Sequence, residues 1–259
     1  MRSQSVILFL LFGPMGPIED KTVSGDRVIV ALDVSTYEAA IAWVDRLPEV
    51  SFWKVGLELF ISAGPAIVQE LKQRQKRVFL DLKLHDIPNT MAGAARAVGR
   101  YGVDLLTVHG AAGLTALEAA QTAAIAGAAE AGVTPPQLIA VTLLTSIGPD
   151  RLAADLQVSA SVADYTAHLA QLAKTAGLAG AVCSPQEATT LRSHYGSDFL
   201  LVCPGVRPAW AASGDQQRTL TPAEAFAAGA SYLVVGRPVT VAADPVAAWE
   251  RLVAEVASR

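Results

Sequence analysis

Short apolar runs alternate with longer amphipathic stretches along most of the chain. Eight apolar runs predict β-strands, at residues 27–34, 51–56, 77–83, 104–110, 137–144, 179–184, 199–205 and 231–237. The stretches between them are rich in alanine and predict helices at residues 36–46, 58–75, 89–101, 113–131, 160–176, 185–193, 222–228 and 244–257. Thr221 before "PAEA" predicts a helix start with Thr221 as the N-cap, proline at the first position and Glu224 at the third.

Eight strand–helix units in one chain, with no Pro/Gly/Ser-rich linker, predict an α/β fold, a single-domain (β/α)8 TIM barrel. The strands are apolar without strict alternation, as expected when helices cover a parallel sheet. The alternative is a doubly wound open sheet, which needs a glycine-rich phosphate-binding turn after the first strand; "LDVSTYEAA" has none. We therefore expect a barrel domain over residues 26–259, with its active site at the carboxyl ends of the strands.

Residues 1–25 precede the first predicted strand and carry an apolar stretch from Val6 to Phe12. This stretch is too short to span a membrane, and no A-x-A-like cleavage site of a secretory signal follows it. We expect a disordered extension and no membrane association.

Composition and charge restrict the classes of partner. Apolar residues make up 52% of the 259 residues, enough for a large core. The net charge is −4 and no Lys/Arg-rich run occurs, which argues against a nucleic-acid or anionic-membrane surface. Cys183 and Cys203 form no CxxC pattern, and we expect reduced, partly buried thiols, as in a cytoplasmic protein.

Charged residues interrupt the third predicted strand, in the segment "FLDLKLHDIPNT" at residues 79–90. Alternate residues of a strand share a face, so Asp81 and Lys83 should point into the barrel mouth while the neighbouring leucines face the helices. Asp33 ends the first strand and Lys54 ends the second. We expect these four alternating charges to converge, because each offsets its neighbour's loss of hydration. A purely structural ion-pair network is the alternative.

Three other polar features remain open from the residues alone. Asp86 precedes "IPNT" at a loop-to-helix junction, where it could be a helix N-terminal acid or a functional group. His109 ends the fourth strand and either lines the mouth or serves as a hydrogen-bonded structural histidine. Thr145 and Ser146, near the end of the fifth strand, could bind a polar ligand ring or cap the next segment.

Two glycine–arginine segments follow the last two strands, where TIM barrels often bind phosphate. They are "CPGVRP" at residues 203–208 and "VVGRP" at residues 234–238. Glycine allows backbone N–H groups to approach an anion, and Arg207 or Arg237 could bind it bidentately. Either arginine alone could be a surface residue. The polar segment "SGDQQR" at residues 213–218 has the composition of a closing loop.

With these residues placed, the sequence resembles the orotidine 5′-phosphate decarboxylase family over residues 27 to 257. The most specific match is "DLKLHDIPNT", the Asp-x-Lys-x-x-Asp-Ile-Pro-Asn-Thr block of that family. The segments "VALD", "KVGLELF", "LTS", "PGVRP", "GDQ" and "VVGRP" occur around it in the family's order. The resemblance implies a TIM barrel that converts orotidine 5′-monophosphate to UMP and CO2 in de novo pyrimidine biosynthesis in the cytoplasm.

The resemblance also implies catalytic roles. Asp33 and Lys54 would hold the ribose hydroxyls and the charge network. Asp81 would lie beside the substrate carboxylate, and Lys83 would protonate C6 of the pyrimidine as CO2 leaves. Asp86 would act in the site of the partner subunit of a homodimer.

Further substrate-binding positions are implied by the same resemblance. Ile87 and Thr90 would reach the partner's site together with Asp86. The other implied contacts are Thr145 or Ser146 to the pyrimidine, Gln216 between base and phosphate, and Pro204, Arg207, Gly236 and Arg237 around the closing loop and the phosphate.

No metal or organic cofactor is implied. The nearest rival is a metal-dependent sugar-phosphate decarboxylase of the same superfamily, whose members carry a metal-binding glutamate where Lys54 stands; a lysine there would repel Mg²⁺. The other rival is an inactive phosphate-binding barrel, which the intact charged motif argues against.

Overall fold

The computed structural model describes residues 25–211 and 220–257. Within these ranges eight parallel strands close into a barrel in chain order, with β1 paired to both β2 and β8. The strands are β1 Val28–Leu32, β2 Phe52–Gly56, β3 Arg77–Leu84, β4 Leu105–His109, β5 Gln137–Val141, β6 Gly180–Val182, β7 Leu200–Pro204 and β8 Tyr232–Val235. The predicted TIM barrel is confirmed. Gln216 and residues 1–24 of the expected extension lie outside the described residues.

Helices connect the strands around the outside of the barrel. In the described part of the chain they are α1 Tyr37–Arg46, α2 Leu57–Ala63, α3 Ala66–Gln73, α4 Pro88–Gly99, α5 Leu114–Ala131, α6 Pro149–Leu156, α7 Val162–Thr175, α8 Pro185–Tyr195, α9 Pro222–Ala227, α10 Arg237–Thr240 and α11 Pro245–Ala257. The predicted N-terminus of α9 is confirmed, because the Thr221 side chain accepts from the Glu224 N–H and the Glu224 carboxylate accepts from the Thr221 N–H. None of the helices described is long and apolar enough to cross a membrane.

The predicted helix at residues 58–75 is wrong as a single element. It is two helices, α2 and α3, separated at Gly64 and Pro65. Gly64 has φ of 61°, in the left-handed region that glycine occupies readily, and its N–H closes α2 by donating to the Phe60 carbonyl. Proline has no N–H to continue the helix.

Seven of the eight strands are shorter than predicted, by one to three residues, and β3 is one residue longer. Two of the shorter strands are β5 and β8. β5 ends at Val141 and β8 ends at Val235, whereas the apolar runs extended to residues 144 and 237. The sequence analysis also assigned no helix to α6 or to the short α10. After β5, Leu143 and Leu144 line the barrel mouth without belonging to the ladder, so hydrophobicity alone placed the end of that strand too late.

The core has two layers. Most buried side chains lie between the strands and the helices. A smaller cluster fills the barrel interior and consists of Ile29, Phe52, Phe79, Leu105, Ile139 and Val202. Phe79 also lines the cavity above this cluster, so the apolar interior forms the floor of the barrel mouth.

Helices α4 and α5 approach each other closely at small residues. A Cβ added at Gly127 would collide with the carbonyl oxygen of Arg96, and one at Gly99 would collide with the carbonyl oxygen of Ala124. Glycine is therefore required on both sides of this contact, and the backbones of the two helices lie in direct contact.

Candidate active site

A cavity of about 310 Å³ opens at the carboxyl ends of the strands. Of the residues that the sequence analysis selected, those lining it are Asp33, Lys54, Asp81, Lys83, Thr145, Pro204, Arg207, Gly236 and Arg237. They come from β2, β3, β7 and the segments after β1, β5, β7 and β8. The chain thus brings widely separated polar residues to one cavity.

Four charges form an alternating chain along one side of the cavity. The Lys54 ammonium lies 3.1 Å from Asp33 Oδ1 and 3.6 Å from Asp81 Oδ2. The Lys83 ammonium lies 2.9 Å from both carboxylate oxygens of Asp81. The predicted convergence of these charges is confirmed.

The central members of this chain are the most buried. The side chains of Lys54 and Asp81 are only 12% and 13% exposed, whereas Lys83 is 31% and Asp33 is 65% exposed. Removing ions from water costs several kcal/mol each unless they are paired, as these are. The arrangement therefore holds partly buried charges at the edge of the cavity, where they would act more strongly on a bound ligand than they would in bulk water.

The backbone at Lys83 departs from the predicted strand geometry. Lys83 has φ of 51°, a left-handed conformation that costs a non-glycine residue about 1–3 kcal/mol. Along β3, four residue steps from Leu80 to Leu84 match only two steps on β4, from Leu106 to Val108. The side-chain arrangement that we predicted is nevertheless confirmed, because Asp81 and Lys83 both line the cavity and the three leucines of β3 pack against the outer core.

The arginines of the cavity lie in the segments after β7 and β8, and β8 is paired with β1. Arg207 is partly buried and follows β7, while Arg237 is exposed and follows β8. The backbone N–H of Arg207 donates to the Leu220 carbonyl. This bond joins the two ends of the segment that contains Gln216. At Gly236 a Cβ would come within 3.4 Å of Asp33 Oδ2, so this glycine keeps room beside the first carboxylate of the charge chain.

Thr145 and Ser146 occupy different positions. Both residues are exposed, but Thr145 lines the cavity and Ser146 does not. The short β5 explains this placement, because residues after Val141 leave the ladder and pass along the rim.

Asp86, Ile87 and Thr90 lie outside the cavity of their own chain. All three are exposed, and Ile87 is 66% exposed. The Asp86 carboxylate accepts from the Ile87 N–H at 2.7 Å, at the start of α4. Among residues 25–211 and 220–257 it makes no ion pair, so its charge is open to a group from outside this chain.

Two histidines stack beside the charge chain. The rings of His85 and His109 are 5.2 Å apart. His109 Nδ1 is buried and has no hydrogen-bond partner in the described residues, which contradicts the interpretation of His109 as a hydrogen-bonded structural residue through that atom. Burial lowers the pKa of His109, and the charges of His85 and Lys83 lower it further.

The two cysteines lie side by side. Cys183 and Cys203 are free thiols with their sulfur atoms 3.8 Å apart, and they are fully buried rather than partly buried as predicted. A hydrogen bond with Cys203, together with burial, raises the pKa of Cys183. Thiols in such surroundings stay protonated and are poor nucleophiles.

The sequence analysis missed two groups of residues near the site. The first is the apolar part of the cavity lining: Phe79, Val141, Leu143, Val182, Val206 and Val234. The second is Thr107, which lies beneath the charges and is fully buried. Its only signal in the sequence is a hydroxyl within the apolar run "DLLTVHG".

The fold and the cavity together define a class of protein. It is a TIM barrel whose mouth carries a network of alternating carboxylates and lysines together with two arginines at the usual phosphate end of the barrel. The particular family follows from comparison with known proteins. The chain belongs to the orotidine 5′-phosphate decarboxylase / HUMPS family, whose pattern matches residues 26–252.

Individual relatives agree with this membership. The chain is 58% identical over 234 residues to an orotidine 5′-phosphate decarboxylase of a Nostoc species, covering 90% of this chain and 98% of the relative. It is 51% identical over 232 residues to that of Moorella thermoacetica, covering 89% and 92%. The crystal structure of the Lactobacillus acidophilus enzyme superposes with a TM-score of 0.80 at 40% identity, covering 90% of this chain and all of the other.

Proposed function

We propose that this protein decarboxylates orotidine 5′-monophosphate to UMP and CO2, without a metal ion, using Lys83 as the proton donor. The observation that carries the proposal is the alternating charge chain from Asp33 to Lys83 at the cavity wall. The relatives named orotidine 5′-phosphate decarboxylase, matched over nearly their whole length, support the same substrate.

Different parts of the cavity lining suit the different parts of this substrate. Arg207 and Arg237 would bind the 5′-phosphate, with Gly236 and Pro204 shaping that end. Asp33 and Lys54 would hold the ribose hydroxyls, and Thr145 would contact the pyrimidine. Gln216, outside the described residues, would bridge base and phosphate. Binding energy from the phosphate would then orient the base against the lysine.

The chemistry needs a cation at C6. When the bond between C6 and the carboxylate breaks, its electron pair stays on C6 and CO2 leaves. An ammonium already fixed at that point stabilises the developing charge at little reorganisation cost. Lys83 would then transfer a proton to C6 to give UMP. Asp81 holds that ammonium through both oxygens and would lie beside the leaving carboxylate, where like-charge repulsion disfavours the bound substrate.

A metal-dependent sugar-phosphate decarboxylase is the rival reading. It would need a metal ligand at the position of Lys54. The Lys54 ammonium instead lies 3.1 Å from Asp33 and 3.6 Å from Asp81, and so occupies the place between the two carboxylates with its own positive charge. This arrangement favours the metal-independent reaction.

A homodimer with shared sites is part of the proposal. The exposed Asp86, Ile87 and Thr90 lie beyond the carboxyl end of β3 and outside their own cavity. In a two-fold dimer each subunit contributes the same patch to the other, so Asp86 would approach the Lys83 of the partner. As a step of pyrimidine synthesis, the reaction would take place in the cytoplasm.

The test is the fall in absorbance of orotidine monophosphate on decarboxylation, measured with the metal-stripped protein in EDTA. Turnover that EDTA leaves unchanged supports the proposal. Turnover that disappears in EDTA and returns with Mg²⁺ would favour the metal-dependent reading. A folded protein without turnover under either condition would favour an inactive phosphate-binding barrel.

A further inference from the structure

The strained backbone of Lys83 needs a support that regular strand pairing does not supply. In a parallel ladder each N–H finds a carbonyl on the neighbouring strand. Here β3 has two more residue steps than β4 between Leu80 and Leu84, and the Lys83 N–H donates instead to the side-chain hydroxyl of Thr107 at 2.8 Å.

The same hydroxyl holds the carboxylate of the charge chain. Thr107 Oγ1 donates to Asp81 Oδ1 at 3.0 Å. A threonine hydroxyl has one hydrogen to donate and lone pairs to accept, so Thr107 can make both bonds at once. One buried atom therefore fixes the backbone of Lys83 and the side chain of Asp81, which itself binds the Lys83 ammonium.

Thr107 has no access to a ligand. It is fully buried and does not line the cavity. Any effect of its hydroxyl on turnover must therefore pass through Asp81 and Lys83.

We propose that Thr107 is a positioning residue, whose hydroxyl sets the place of the Lys83 ammonium by fixing both ends of the Asp81–Lys83 pair. This inference rests on the proposed decarboxylase function. Without the hydroxyl, the Lys83 N–H loses its partner at the irregular part of β3, and Asp81 loses one of the bonds that define its rotamer. The ammonium would then shift relative to the reacting carbon.

Thr107→Val tests this directly, because valine keeps the shape of threonine and removes the hydroxyl. We expect kcat to fall about 10- to 100-fold, the range that follows from a misplacement of about 1 Å. KM should change less than about threefold, because no substrate contact is lost. Thr107→Ser restores the hydroxyl and should keep kcat within about threefold of the wild-type value.

A matched control separates positioning from a general loss of stability. Ser231 is also buried, and its hydroxyl accepts from the Leu201 N–H at 3.0 Å, next to the start of β8 and so at the far end of the barrel. Ser231→Ala should lower the unfolding temperature without lowering kcat. Equal falls in kcat for Thr107→Val and Ser231→Ala would overturn the inference, as would a Thr107→Ser enzyme as slow as Thr107→Val.

Amide hydrogen exchange at Lys83 provides a readout that does not depend on activity. The Lys83 amide should exchange slowly in the wild-type protein and much faster in Thr107→Val. If the exchange rate of the Lys83 amide is the same in Thr107→Val as in the wild type, the inference is overturned, whatever the kcat of the variant. Failure of the wild-type protein to decarboxylate would instead overturn the proposed function, while the exchange result would still report the bond.

Discussion

The ammonium of Lys83 lies 2.9 Å from each of the two carboxylate oxygens of Asp81. Lys83 thus has a fixed direction along the cavity wall, although its side chain is 31% exposed. A flexible lysine tip is usually free to rotate; here a carboxylate on the same strand determines where its charge lies. The proposed protonation of C6 depends on this fixed position of the Lys83 ammonium.

Removing this ammonium should stop turnover. In Lys83→Ala, the proton donor and the charge facing C6 are lost together, and each such effect typically contributes about 10²- to 10⁴-fold. Steady-state kinetics on the folded variant measures the loss. Lys76→Ala is the matched control, since the Lys76 ammonium donates to the Pro48 carbonyl outside the cavity. A Lys83→Ala enzyme with more than about a tenth of wild-type turnover would contradict the role given to Lys83.

Arg237 should act on the phosphate. In Arg237→Ala, loss of a charge-assisted contact should weaken nucleotide binding by about 1.5–3 kcal/mol, or roughly 10- to 150-fold. Isothermal titration with UMP, and with uridine as the ligand that lacks the phosphate, measures the difference. The affinity for uridine should hardly change. If both ligands lose affinity equally, Arg237 contacts something other than phosphate.

Two inactive variants should restore activity to each other. Lys83→Ala mixed with Asp86→Ala should form heterodimers in which one site lacks both groups and the other is intact. With random exchange of equal amounts, half of the dimers are mixed and roughly a quarter of all sites are wild type, by the symmetry of a closed dimer. Activity is assayed after exchange, and native mass spectrometry counts the heterodimers. Heterodimers no more active than either parent would assign Asp86 to the site of its own subunit.

His109 should make stability depend on pH. Its pKa is lowered by burial, and by His85 and Lys83, so the folded protein resists protonation there. An unfolded histidine titrates near pH 6.5. As the pH falls below about 6.5 the unfolded state takes up a proton that the folded state does not, so the free energy of unfolding should decrease.

Denaturant unfolding of the wild type and of His109→Asn across this pH range tests the prediction. The difference in stability between the two proteins should shift in favour of the variant as the pH falls. His194→Asn, at an exposed position on α8, is the control and should follow the wild type. Parallel curves for the wild type and His109→Asn would show that His109 is not the source of the dependence.

The barrel could be predicted because its signal is repeated. Each apolar run is followed by a helical pattern, and eight such units leave few alternatives. The convergence of Asp33, Lys54 and Asp81 could be predicted from the order of the strands, because neighbouring strands of the barrel end at the same rim. The family motif added the functional expectations, which periodicity could not have supplied.

Local geometry was less predictable. The left-handed Lys83 is invisible in the sequence, because a non-glycine residue carries no mark of that conformation; it depends on Thr107 from the next strand. The separate places of Thr145 and Ser146 depend on where β5 ends, and the apolar run continued past that point. The break between α2 and α3 is indicated by the Gly-Pro pair in "AGP" at residues 63–65. The helical pattern on both sides of this pair led us to predict one continuous helix.

The glycine contact between α4 and α5 would affect the association of a second subunit in the proposed dimer. Helix α4 begins beside Asp86, and its other end is held against the backbone of α5 at Gly99. The first turn of α4 thus belongs to a helix that is already packed against α5. It would not have to become ordered when another subunit binds. Less conformational entropy is lost when such a surface associates. In the proposed dimer, these small residues far from the cavity would therefore influence how tightly the two subunits pair.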